Sequence, residues 1–328
     1  MSCSRFRVRR STRRFIGLMM VLALGLVCAS AAPLLAPARF ALSSDVPDVV
    51  GVPNSAAELP PASTAPSLIT VVAPRGALTI PILVYHHVLE VSPSSSDVTL
   101  FNLSISPAMF ARQMALLHVE GATPISPAML MQALAGKRSL PPHPVMLTFD
   151  DGYVDFATAA APVLVRYGFV ATDYVVSGFV GHSGYMTAAQ VRRMDAEGLV
   201  IGSHTMHHLD LASVSPAVAL AEIDGGKAAL QTLLGHPVLD FAYPYGGFDS
   251  AVVQLVRAAG FRDAVTTMGG DTQTLVGAFV LHRTRIGGAL SLASFAARAG
   301  LPSPTAAQLV AIDRAPARLA WLASRLAN

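Results

Sequence analysis

Residues 144–153 read Pro144-Val145-Met146-Leu147-Thr148-Phe149-Asp150-Asp151-Gly152-Tyr153. An apolar run that ends in two adjacent carboxylates and a glycine is how a strand buried on both faces finishes at the mouth of a site. Side chains alternate across a strand, so Asp150 and Asp151 point in different directions. One can then hold a cation while the other handles a proton. Asp-Asp-Gly is also ordinary surface-turn chemistry, so the rest of the chain has to decide between the two readings.

Working outward, strand and helix signals alternate. Upstream, Thr79–His86 reads as a strand ending in the pair His86-His87. Ser106-Pro107 and Ser126-Pro127 each place a capping serine before a proline at the first helical position, and the second helix stops at Gly136. Downstream, Phe156 to Tyr167 is apolar at helical intervals and stops at Gly168. Val170–Val176 is strand-like, and Thr187 to Gln190 resembles a capping box opening a helix that closes at Gly198. Leu199–Gly202 is a short buried strand. Ser215-Pro216 starts a helix to Leu234 whose middle is weakened by Gly225-Gly226. A strand over Asp240–Tyr243, a helix capped by Asp249 and a strand over Asp263–Thr267 follow. Such alternation predicts a parallel sheet with helices outside, as an open sheet or a (β/α) barrel. Every polar cluster falls just after a strand, where these folds build their sites.

The chain of 328 residues is 52% hydrophobic and 13% charged, enough apolar material for a sizeable core. Its formal charge of +3 is concentrated at one end, in Arg5, Arg7, Arg9, Arg10, Arg13 and Arg14. Without those six the remainder is mildly acidic, which excludes a basic nucleic-acid footprint on the folded body. The arginines precede the apolar stretch Phe15–Ala32 and small residues Ala29-Ser30-Ala31, the pattern of an export signal. The stretch is also near the roughly 18–20 residues that span a bilayer. Residues 1–32 are therefore expected to be a signal peptide or an N-terminal membrane anchor, and the protein to be exported. Residues 33–77, rich in Pro, Ala and Ser, read as a linker, 78–300 as the folded domain and 301–328 as a C-terminal helical tail. Cys3 and Cys28 both lie in the leader, so any metal in the domain must use histidine and carboxylate ligands.

Ser203-His204-Thr205-Met206-His207-His208 supplies them. His204 and His208 are four apart, so in a helical turn or tight loop both imidazoles can face one cation, whereas His207 has the wrong phase. With one aspartate from the first cluster this makes an Asp-His-His set with open positions, as catalytic zinc sites have. Zinc suits these ligands best, and cobalt, nickel or iron are compatible. In Phe241-Ala242-Tyr243-Pro244-Tyr245-Gly246-Gly247, proline and glycines make a rigid turn able to aim a backbone amide into a cleft.

Thr-Phe-Asp-Asp-Gly-Tyr, His-Thr-x-x-His and Tyr-Pro-Tyr-Gly together resemble the successive motifs of the polysaccharide deacetylases, the NodB-homology or carbohydrate esterase family 4 domain, over about Leu78 to Ala299. Leu83-Val84-Tyr85-His86-His87-Val88 is similar to the opening of the circularly permuted branch that acts on poly-β-1,6-N-acetylglucosamine. The resemblance implies a distorted (β/α) barrel forming a single catalytic domain. It implies a divalent metal on Asp151, His204 and His208, with Asp150 as general base toward the attacking water. It also implies the backbone N–H of Tyr245 as oxyanion donor and His86, rather than His282, as the acid that protonates the leaving amine. The arginine that orients the base in the usual third motif is absent before Tyr243-Pro244, and Arg285, within Arg283-Thr284-Arg285-Ile286, is expected to replace it.

The implied reaction removes N-acetyl groups from an extracytoplasmic amino-sugar polymer and releases acetate. A peptidoglycan N-deacetylase or an O-acetyl xylan-type esterase would use the same site, and a decayed carbohydrate-binding protein is the reading from a different class. Tyr153, Tyr185 and Phe248 are the candidate sugar-stacking aromatics near the mouth.

Overall fold

A computed structural model describes residues 76–314. The expected leader (1–32), nearly all of the linker (33–77) and the end of the C-terminal tail lie outside the described residues.

The domain is built on an eight-stranded sheet. Its neighbouring strands, all parallel, run in the order β10 (Asp263–Val265), β9 (Asp240–Ala242), β8 (Val200–Ser203), β7 (Thr172–Val175), β6 (Pro144–Asp151), β2 (Ile82–Tyr85) and β12 (Thr284–Arg285), and β5 (Thr123–Pro124) pairs with the start of β6. The sheet curls until residues 281–286 bridge its two sides. Leu281 donates to the Ala264 carbonyl at one side, and Ile286 donates to the Val84 carbonyl at the other. This short strip makes the distorted (β/α) barrel. Minor pairings trim the rim: β1 (Ala77–Thr79) with β11 (Thr272–Thr274), antiparallel, and β3 (His87–Val88) with β4 (Ser104–Ile105).

Alternation along the strands separates two cores. Ile82, Met146, Tyr174, Ala242 and Val265 face inward and cluster with Leu130 and Ala133 of α3 (Pro127–Leu134), which cover the barrel end away from the carboxylates. Leu83, Leu147, Val175, Phe241 and Ala264, each adjacent to one of these along its strand, face the helix layer. Burial on both faces is why these strands read as continuous apolar runs.

The helices are α1 (Val98–Leu103), α2 (Pro107–Val119), α3, α4 (Ala161–Tyr167), α5 (Ala188–Ala196), α6 (Pro216–Leu234), α7 (Ser250–Ala258) and α8 (Leu292–Arg298). They start where the sequence places their caps: Ser106, Ser126, Thr187, Ser215 and Asp249 each accept a first-turn N–H, and Thr187 with Gln190 completes a capping box. The segment expected to be one helix from Phe156 opens instead as a π turn, Phe156–Ala160. Pro162 has no N–H for the usual bond four residues back, and the Ala161 N–H reaches the Phe156 carbonyl. A helix covers 306–314, and the remainder of the expected C-terminal tail lies outside the described residues.

Candidate active site

The inward series of β6 continues from Met146 through Thr148 to Asp150, so the first carboxylate points into the barrel. There it meets Arg283, whose side chain is fully buried. Its Nη1 and Nη2 donate to Asp150 Oδ1 and Oδ2, both at 2.7 Å, and its Nε to the Thr266 carbonyl at 2.7 Å. The sequence expectation was Arg285, and this is a correction. Arg285 is exposed, and its contact is through the backbone, its carbonyl accepting from Arg298. Strand alternation gives both arginines the same phase. The chain leaves the ladder directly after β12, so only the first of them lies deep enough to cross the barrel. Burial by itself would raise the Asp150 pKa, but the charge and hydrogen bonds of Arg283, aided by His204 and His86, outweigh it and hold the carboxyl below its ordinary value.

Asp151 belongs to the other phase, yet it does not enter the helix layer. Its φ of 79°, followed by 76° at Gly152, turns the chain at the rim. A Cβ on Gly152 would stand 3.0 Å from Val175, so the turn requires glycine both for its angle and for its space. Asp151 Oδ1 lies 3.2 Å from His208 Nε2 and 3.5 Å from His204 Nε2. Among the described residues these three form the group able to hold a metal, with ligand atoms within 4.8 Å of one another. The residues fit such an ion. His204 Nδ1 donates to the Ala242 carbonyl at 2.8 Å, which leaves the Nε2 lone pair for a ligand. Asp151 Oδ1 is buried without a hydrogen-bond partner, a state that a cation satisfies. Burial raises the Asp151 pKa, but the close approach of the His208 imidazole and the charges of His204 and His86 hold it well below the carboxylate range. His207 takes no part in this group and is 56% exposed.

His86 lies just after β2, half-buried, with Nδ1 unpartnered. Burial lowers its pKa against the opposing pull of Asp150 and Asp151, which places it within the field of both carboxylates. His282 is held elsewhere: its backbone pairs with Gln273, its ring lies beside Gly270, and among the described residues no hydrogen bond joins that ring to the carboxylates. Tyr245 stands in the left-handed region at φ 58° in the turn Pro244–Gly246. No acceptor among the described residues takes its N–H, and its exposed ring lies edge-on to His208 at 4.6 Å. His87, whose Nδ1 pairs with Asp155 at 2.7 Å, stacks on Tyr153 at 3.7 Å. Tyr153 stacks on Tyr185 at 5.1 Å, and Tyr185 meets Phe179 at 4.9 Å. Phe248 packs on Tyr243 instead.

The family described as polysaccharide deacetylase matches residues 137–264, the span that carries both carboxylates together with His204 and His208. The chain carries a polysaccharide deacetylase domain. With it the protein is a hydrolase. YxkH of Bacillus subtilis, provisionally named a polysaccharide deacetylase, is 29% identical over 218 residues, 66% of this chain and 75% of YxkH. The poly-β-1,6-N-acetyl-D-glucosamine N-deacetylase of Staphylococcus aureus is 24% identical over 184 residues, 51% of this chain and 62% of that one. Among solved structures, the deacetylase PplD of Streptococcus pyogenes in complex with acetate superposes with a TM-score of 0.63 at 29% identity, over 67% of this chain and 98% of PplD. IcaB from Ammonifex degensii gives 0.58 at 28% identity, over 67% and 97%. In fold and family this deacetylase meets the sequence expectation.

Sequence reasoning missed Arg283 and the His87–Asp155 pair. The paired histidines after the first strand and the two arginines two residues apart were the available signals.

Proposed function

We propose that this deacetylase is an exported, divalent-metal-dependent enzyme that removes N-acetyl groups from an amino-sugar polysaccharide of the poly-N-acetylglucosamine kind, releasing acetate. The observation that carries the proposal is one pair of adjacent aspartates with separate partners. Asp150 is clamped by a buried arginine, and Asp151 turns toward two imidazole Nε2 atoms with its Oδ1 unpartnered.

Asp151, His204 and His208 would hold the ion, with zinc best suited and cobalt, nickel or iron compatible. A divalent ion held there would supply Lewis acidity toward a water and the acyl oxygen, which suits a base whose pKa is depressed. Asp150, kept ionised by Arg283, accepts the proton from the attacking water. The Tyr245 N–H, fixed by the strained turn, is the donor for the developing oxyanion. His86 protonates the departing amine, since an amine anion is a poor leaving group. The ring row from His87 to Phe179 passes through Tyr153, two residues past Asp151, and offers apolar ring surface to sugar faces beside the site.

Export is supported by the arginine-rich start and the apolar stretch to Ala32. Among the described residues no helix is long and apolar enough to cross a membrane; the leader, cleaved or retained as a tether, lies outside them. The polymer class is supported by the likeness of Tyr85-His86-His87-Val88 to the permuted branch and by the Staphylococcus aureus relative.

Metal analysis of the purified domain together with acetate release from N-acetylglucosamine oligomers tests the proposal. Stoichiometric divalent metal and acetate release are expected. No bound metal and no acetate would replace it with the carbohydrate-binding reading, and acetate released from O-acetyl esters alone would replace it with the esterase reading.

A further inference from the structure

The turn that carries His204 and His208 is strained. Thr205 and His208 both sit in the left-handed region, at φ 66° and 59°, a conformation that non-glycine residues keep only when their surroundings impose it. The surroundings can be named. On one side the backbone N–H groups of Ser177 and Gly178 donate to the carbonyls of Thr205 and Met206, at 3.1 and 2.9 Å. Within the turn Thr205 Oγ1 accepts from the His208 N–H at 3.0 Å.

On the other side stands α6. Gly226 lies so close that a Cβ would come within 2.6 Å of the Thr205 carbonyl carbon, and one on Gly225 would meet Met206 Cε at 2.4 Å. The glycine pair that weakens this helix in the sequence is what lets it approach the turn. One helical turn earlier, at the spacing that shares a face, is Glu222, 6% exposed. Its two oxygens hold one residue twice: Oε2 accepts the His207 backbone N–H at 2.7 Å, and Oε1 pairs with His207 Nδ1 at 2.8 Å.

We infer that Glu222 is a positioning residue for the metal centre, gripping the residue between the two histidine ligands and so setting how tightly the cation is held. The inference rests on the metal-site reading above. Neither Glu222 nor His207 is a ligand, so their substitution acts only through the geometry of the turn. The backbone bond is the essential one, since it holds the chain while the imidazole remains largely exposed.

The test measures the zinc dissociation constant of the purified protein by competition with a chromophoric chelator, and the melting temperature with and without zinc. Asp151→Ala is the control. If the parent protein binds no zinc, or Asp151→Ala binds as tightly as the parent, it is the metal-site reading that fails. With that reading intact, Glu222→Ala is expected to weaken zinc about 10- to 100-fold, as loss of a group that orients ligands does. Its zinc-induced rise in melting temperature should shrink. His207→Ala, which keeps the backbone bond, should remain near the parent value. An unchanged dissociation constant in Glu222→Ala, with equal loss of melting temperature in both forms, would overturn the inference by making the residue a packing element alone. Should Glu222→Ala not fold, Glu222→Met, of similar length but with no oxygen to accept the His207 N–H, is read by the same two measurements. A weakened constant supports the inference and an unchanged one overturns it.

Discussion

Two arginines reach buried aspartates at opposite ends of this barrel. Arg283 grips Asp150 at the last turn of β6, through two parallel bonds to one carboxylate. Arg262 meets Asp240 and Asp263 at the first residues of β9 and β10, shared between two carboxylates and 29% exposed. Tyr174 lies between the clusters, with the Arg283 guanidinium over its ring. The residue types are the same and the outcome differs. One arginine for one carboxylate gives an ionised carboxylate with a depressed pKa. One arginine for two gives Asp263 a pKa pushed well up by burial and by its neighbour Asp240. In a parallel barrel the difference follows strand direction, because sites form where strands end and packing is settled where they begin.

The widest gap between the two ends should appear in turnover. Asp150→Asn removes the proposed base and is expected to lower kcat at least about 100-fold while zinc stays bound. Asp151→Asn should lose both zinc and turnover. Metal analysis alongside acetate release separates the two, and the reverse pattern would exchange their roles.

Arg283→Ala strands a buried carboxylate. Loss of one partner of such a pair costs about 3–5 kcal/mol, readable by urea unfolding. Its effect on pH dependence has a definite sign. As the proposed base Asp150 works when ionised, and its depressed pKa places the expected acid limb of the rate profile at low pH. Without Arg283 the burial penalty prevails, the pKa rises and the acid limb moves to higher pH. Arg285→Ala should leave both stability and pH profile as they were.

His86 gives a smaller effect with a distinct signature. As an acid it works protonated, and burial lowers its pKa from the ordinary value. The ratio of N-acetylglucosamine-oligomer turnover to that of an activated acetate ester should therefore fall as pH rises through a value below about 6.5. His86→Ala should lose the amide reaction by about 100-fold and make the ratio independent of pH. A variant that keeps the amide reaction would remove His86 from the mechanism.

How much of this was legible beforehand depends on whether the signal was local. Ser106, Ser126, Thr187, Ser215 and Asp249 act within one helical turn, so their caps could be read directly from the sequence. His204 and His208 carry their spacing with them, and the apolar run into Asp150 announces a buried strand. The arginine was harder to place: Arg283 and Arg285 share a phase, and the choice depends on where residues 281–286 cross from β10 to β2. Gly225-Gly226 read as a flaw because the segment it accommodates is twenty residues upstream. The π turn at Phe156 needed Pro162 to be weighed against an otherwise helical pattern.

The far end of the barrel provides the mildest test. The raised pKa of Asp263 means that the folded state keeps a proton the unfolded chain releases above about pH 4. Stability from this group is therefore complete below that pH and is lost as pH climbs toward the folded value. Asp263→Asn carries no ionisable group there. Its melting temperature relative to the parent protein should rise steadily from about pH 4 upward, while zinc binding and acetate release stay at parental levels. If the substitution instead reduced turnover at unchanged metal content, the floor of the barrel would be coupled through Tyr174 and Arg283 to the base. The division of labour between strand starts and strand ends would then fail for this fold.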